Sequence, residues 1–143
     1  MKQLIVTVLM AIAFITANAQ NAPSFNFKGG DTHDFGTIKE GPVVEYNFEF
    51  TNTGKEPLII YDATADCGCT KPTWPSQPIL PGKSGAIKVA YTTQSHPGPF
   101  SKHIYIKSNV KEESGRERYE LKIKGTVLAD KEPQPSDAAK KAN

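Results

Sequence analysis

The chain is poor in the residues that carry chemistry. Among its 143 residues are two cysteines, three histidines, one tryptophan and two methionines. Both methionines, Met1 and Met10, belong to the N-terminal segment, so the rest of the chain offers no thioether to a soft metal. No later apolar run approaches the about 20 residues of a membrane-spanning helix. A helical apolar period is also missing beyond the N-terminal segment, which argues against a helix bundle. Charge of one sign is lacking as well. Lys+Arg number 17 against 15 Asp+Glu, with no basic run, so neither nucleic acid nor an anionic membrane is the expected partner. There is no nucleophile elbow, phosphate-cradling glycine loop or metalloprotease motif. From this inventory no hydrolase site can be assembled.

Both ends of the chain read as non-domain. Residues 1–19, MKQLIVTVLMAIAFITANA, have Lys2 as a positive start, an apolar stretch at 4–17 and an Ala17, Asn18, Ala19 cleavage site. This is the pattern of a cleaved secretion signal, with Gln20 as the first mature residue. The rival reading, a membrane anchor, fails on length. A lipid anchor requires cysteine after the cleavage site, where Gln20 stands. The expectation is export to the periplasm or the extracellular space, with no membrane insertion after cleavage. Losing Lys2 leaves a net charge of about +1. Residues 129–143, ADKEPQPSDAAKKAN, have no large apolar side chain and read as a disordered tail. One domain remains, at 20–128.

Within that domain the apolar period is two. In PVVEYNFEFTN, Val44, Tyr46, Phe48 and Phe50 share one face, with Glu45, Asn47 and Glu49 on the other. That is a half-buried strand. In TNTGKEP, Asn52 and Gly54 suit a turn with positive φ. PLIIYDA reads as a short strand covered on both faces. AIKVAYTT points Ile87, Val89 and Tyr91 one way, and FSKHIYIKSN does the same with Phe100, Ile104 and Ile106. RYELKIKGTV closes the domain with Tyr119, Leu121, Ile123 and Val127 inward. Glu120, Lys122 and Lys124 lie outward, as a row that discourages edge pairing. SFNF and HDFGTI read as an earlier strand pair. About seven strands at this spacing predict an all-β, immunoglobulin-like antiparallel β-sandwich, with a small barrel as the alternative.

The blocks HDFGTIKEGPVVEYNFEFTNTGKEPLII, DCGCT, PILPGKSGAIKVAYTT, GPFSKHIYIKSN and LKIKGTV occur in that order. Together they resemble a bacterial family of exported proteins, domain of unknown function 1573, over roughly residues 31–127. The resemblance implies an immunoglobulin-like sandwich similar to major-sperm-protein and ASH/Hydin-type domains, which bind partners and are not enzymes. The motif positions it marks are Phe35, Gly36, Asn52, Gly54, Pro57, Cys67, Gly68, Cys69, Thr70, Pro81 and Gly82. It implies no catalytic residue.

Four readings compete for Cys67 and Cys69. Export favours a disulfide, but in an extended strand residues i and i+2 lie about 6.6 Å apart, at the upper edge for a bonded pair. Gly68 could bend the chain to close the gap. Linking a three-residue loop adds only about 1.6 kcal/mol in the chain-entropy account. The second reading is Cu(I) held by two thiolates, with a third ligand from His33, His96 or His103. Zinc ligand spacing is absent. The third is a pair of buried, unreactive thiols at a tight corner. The fourth is a bond to another protein's cysteine.

Pro72, Pro75, Pro78 and Pro81 recur at every third residue, the period of a polyproline II turn. The stretch is therefore expected at a sheet edge or in a ladder-free loop. Trp74 within it either closes the core or anchors a partner. His33 and Asp34, as strand neighbours, point to opposite faces and form no dyad. All three histidines are expected at the surface. The functional expectation is an exported, non-enzymatic module without cofactor that binds another protein or a cell-surface component. Pro72, Trp74 and Pro75 are its candidate contact residues, and Cys67, Gly68, Cys69 and Thr70 are the candidate thiol site. The alternative is a thiol-redox or copper-handling protein acting through Cys67 and Cys69.

Overall fold

The structure, a computed structural model, describes residues 21–111 and 118–130. The predicted secretion signal, 1–19, lies outside these residues, as does the predicted tail beyond Asp130. Among the described residues eight strands form: β1 (Phe25–Phe27), β2 (Thr32–Lys39), β3 (Val43–Asn52), β4 (Ile60–Ala65), β5 (Thr70–Thr73), β6 (Ser84–Thr92), β7 (Gly98–Ser108) and β8 (Tyr119–Leu128). They build two four-stranded sheets, in the orders β1-β3-β6-β5 and β2-β8-β7-β4. The alternation sets the core. Phe48 and Phe50 of β3 meet Ile87, Val89 and Tyr91 of β6, Ile104 and Ile106 of β7, and Leu121, Ile123 and Val127 of β8 in one buried cluster. Each such side chain contributes about 1.5–3 kcal/mol by leaving water. The all-β sandwich expectation holds, with eight strands where about seven were expected.

Several local expectations are corrected. SFNF and HDFGTI do not pair. β1 joins β3 in one sheet, while β2 joins β8 in the other, in parallel. Two successive strands can part in this way because the 28–31 turn carries the chain from one sheet to the other. β8 is an inner strand between β2 and β7, so its charged row faces solvent and guards no edge. β4 is covered on one face only, and Tyr61 is 61% exposed. An edge strand of a two-layer sandwich has just one neighbouring layer. Lys102 shares the inward phase of Phe100 and Ile104 opposite Ile123, yet stays half-exposed, since its stem can reach water past the strand.

Asn52 and Gly54 do not have the positive φ expected of them. Asn52 is extended, fully buried, and works through its side chain. Its Oδ1 accepts from Gly54 N at 3.0 Å and Ser24 N at 3.3 Å. Its Nδ2 donates to the carbonyls of Glu56 at 2.8 Å and Ile79 at 2.9 Å. One amide thus ties the N-terminal segment, the β3–β4 turn and the loop before β6. Gly54 is required by crowding. A Cβ there would run into the Ala22 carbonyl and lie 2.6 Å from Pro23 Cα.

Candidate functional site at the sheet crossover

Between β4 and β5 the chain passes from the edge of one sheet to the edge of the other. Residues Asp66, Cys67, Gly68 and Cys69 make this crossing as a turn, not as a strand. The turn is closed by Thr70 N donating to Cys67 O at 3.2 Å, and it joins the β6 ladder where Thr92 N donates to Cys69 O at 2.8 Å. The bend brings the two Cα atoms to 5.3 Å, and Cys67 and Cys69 form a disulfide. The extended-strand spacing that opposed this bond does not apply, because the segment is not extended. Both cysteines are half-buried and Gly68 is exposed. Cys69 packs against the hydrophobic core. Thr70, 3% exposed, points its hydroxyl at both sulfurs, 3.7 Å from Cys67 Sγ and 3.8 Å from Cys69 Sγ.

The proline stretch lies at a sheet edge and in the loop after it, as expected, but not as one continuous polyproline II turn. Pro72 sits in the edge strand β5 opposite Val89, an edge position that tolerates the missing donor. The stretch is therefore not free of ladder bonds. Pro75 is half-buried outside any strand, Ile79 bridges to Leu58, and Pro81 opens a turn completed by Gly82 at φ 75°. Trp74 is partly buried against the core. Leu80, 54% exposed, follows the Leu58–Ile79 bridge, so it and Tyr61 lie along the same β4/β5 margin.

Beside the crossover is a polar cluster that sequence reasoning missed. Asp66 N donates to His103 O at 3.2 Å, and His103 N returns a bond to Asp66 Oδ2 at 2.9 Å. His103 Nδ1 lies 3.1 Å from the same oxygen, and Nε2 lies 3.5 Å from Glu120 Oε1. The His103 backbone N–H, helped by the Tyr105 hydroxyl, holds the Asp66 carboxyl below its usual value. The out-of-phase position of His103 could be read from the sequence. Its partner on another element could not. Asn109, equally missed, receives Ile59 N on Oδ1 at 2.8 Å and donates to Pro57 O at 2.9 Å.

The histidines stay apart. His96 is exposed. His33 is partly exposed, with its ring packed against neighbouring aromatic rings. It stacks on Tyr46 at 3.5 Å between ring centroids and meets Phe35 edge-on at 4.6 Å. Burial pushes its pKa down, which outweighs the opposing charge of Asp34. The unfolded chain therefore binds a proton near the ordinary pH of about 6.5 and the folded chain only below that. Stability falls as pH drops through 6.5 toward the folded value. His33→Phe keeps the stacking and removes the proton, so its melting temperature should fall less between pH 7 and pH 5 than that of the unmodified protein. Equal losses would sink this account.

Among the described residues, no group of three or more His, Cys, Asp or Glu side chains is placed to hold a metal ion. Among the described residues, a depression of about 460 Å³ lies over β2, β8 and β7. It is lined by Asp34, Phe100, Ser101, Lys122, Lys124 and neighbouring glycines and threonines.

These features define an immunoglobulin-like β-sandwich with a disulfide at the crossing between its edges. The family model described as "Protein of unknown function (DUF1573)" matches residues 25–127, and the chain belongs to that family. No curated protein matches it in sequence. A protein of unknown function from Porphyromonas gingivalis W83 superposes with a TM-score of 0.63 at 19% identity, covering 79% of this chain and 50% of that one. The ASH / PapD-like domain 7 of human CEP192 gives 0.58 at 9% identity, covering 78% and 89%. A chain of the CsuC–CsuE chaperone–tip adhesion subunit pre-assembly complex from Acinetobacter baumannii gives 0.50 at 13%, covering 73% and 52%. At these identities the likeness is one of fold. The chain spans half the length of the Porphyromonas protein.

Proposed function

We propose that this chain is an exported, non-catalytic module that binds a segment of another protein along the β4/β5 margin. The observation that carries this reading is that margin itself. Two edge strands from different sheets meet there through the crossover, flanked by exposed Tyr61 and Leu80 and partly exposed Trp74. A free strand edge can add a partner strand through main-chain bonds, while apolar side chains beside it give selectivity. Similarity in fold to a chaperone–subunit complex and to an ASH domain supports the same reading. The N-terminal pattern of residues 1–19 supports export.

The test is a photo-crosslinking side chain placed at Tyr61 or Leu80 in the producing cell, with Lys124 on the solvent face as the comparison site. A discrete protein adduct from the margin positions and none from Lys124 is expected. Adducts of equal yield from all three, or none from the margin, would overturn the proposal.

A further inference from the structure

We propose that Cys67, Gly68, Cys69 and Thr70 form a thiol–disulfide exchange site that takes two electrons from the dithiol of another protein. Three observations carry it, and none depends on the binding reading above.

First, the bond fastens nothing that is otherwise loose. It spans one residue of a turn already closed by the Thr70–Cys67 backbone bond, tied to β6 through Cys69 O and tied to β7 through Asp66 and His103. A link over so short a loop removes little chain entropy. Second, the site is open on one side. Gly68 is exposed, and an added Cβ there would meet nothing within 4 Å. The two sulfurs are not equivalent, since Cys69 packs on the core and Cys67 is outside that cluster. Third, among the described residues the buried Thr70 hydroxyl has only the two sulfurs as hydrogen-bond neighbours. A hydroxyl held there donates best when a sulfur becomes a thiolate, because a charged acceptor strengthens the bond.

The step follows from this arrangement. A partner thiolate attacks Cys67 Sγ, the Cys67–Cys69 bond breaks, and Cys69 leaves as a thiolate that accepts the Thr70 hydrogen bond. The partner's second thiolate then attacks the partner sulfur of the mixed disulfide and releases Cys67. The partner dithiol becomes a disulfide. Its two protons end on Cys67 and Cys69.

The test uses the intact protein and its variants, with dithiothreitol as the dithiol probe and glutathione disulfide as the trap. Dithiothreitol should reduce the folded protein while its circular dichroism is unchanged. Cys69→Ser should form the glutathione adduct at least about tenfold faster than Cys67→Ser, since its remaining thiolate, on Cys67, is the one that can reach and attack glutathione disulfide. In the reduced protein, Thr70→Val should raise the pH midpoint of Cys69 alkylation by about one unit, or about tenfold in thiolate fraction. Thr70→Ser should restore it. Reduction only upon unfolding, equal adduct rates, or a midpoint indifferent to Thr70→Val would each overturn the proposal.

Discussion

Asn52→Ala is expected to lower the stability of the domain by about 3–5 kcal/mol, or about 15–25 °C in melting temperature. The size follows from what the amide holds. Its loss strands the N–H groups of Ser24 and Gly54 and the carbonyl of Glu56, and leaves the Ile79 carbonyl with Leu58 N as its remaining donor, at a position with no exposure. Each buried group left unpaired costs about 1–3 kcal/mol, partly relieved by relaxation. Asn52→Asp should cost more. It turns two donors into acceptors facing two carbonyls and buries a charge with no counter-ion. The comparison is Asn47→Ala, on the solvent side of the same strand, where a change within about 0.5 kcal/mol is expected. Thermal unfolding of the three variants decides the matter. An Asn52→Ala loss no larger than that of Asn47→Ala would show that the amide is not a structural node.

The second large effect is expected at Phe50 and Gly85, which face each other across β3 and β6. The Phe50 ring, fully buried, lies on Gly85. A Cβ at Gly85 would stand 2.8 Å from Phe50 Cζ and 3.1 Å from Ile79 Cδ1. The same ring meets Phe25 edge-on at 5.0 Å and Phe27 at 5.7 Å. Phe50→Ala should therefore cost about 3–5 kcal/mol through the cavity it leaves. Gly85→Val should cost about 1–3 kcal/mol by overpacking. The double variant should cost at least about 1 kcal/mol less than the sum, because the valine then occupies space the ring has vacated. Strict additivity in denaturant unfolding would refute the contact.

Much of the fold was legible because burial in a sandwich follows a period of two. The inward sets on β3, β6, β7 and β8 could be read directly, and all belong to the core or pack against it. Strand partners were not legible. SFNF and HDFGTI are close in sequence and look alike in pattern. Which sheet each joins depends on hydrogen bonds to strands far along the chain. The period-three prolines also misled. The spacing suggests one continuous conformation, but Pro72 is placed in a strand by its pairing with Val89 and Pro81 is placed in a turn by Gly82.

For the candidate site, the sequence by itself determined the ingredients: two cysteines one glycine apart, a threonine after them, and a strand pattern that requires a crossing nearby. Those facts follow from residue type and local period. The tertiary structure alone decided what the ingredients do together. The crossing bends, so the cysteines come close enough to bond. Thr70 is buried under β6 pairing, so its hydroxyl turns to the sulfurs. Asp66 is caught by His103 from β7, 37 residues away. A side chain's partners depend on which elements the core brings side by side, and local spacing carries no record of that choice.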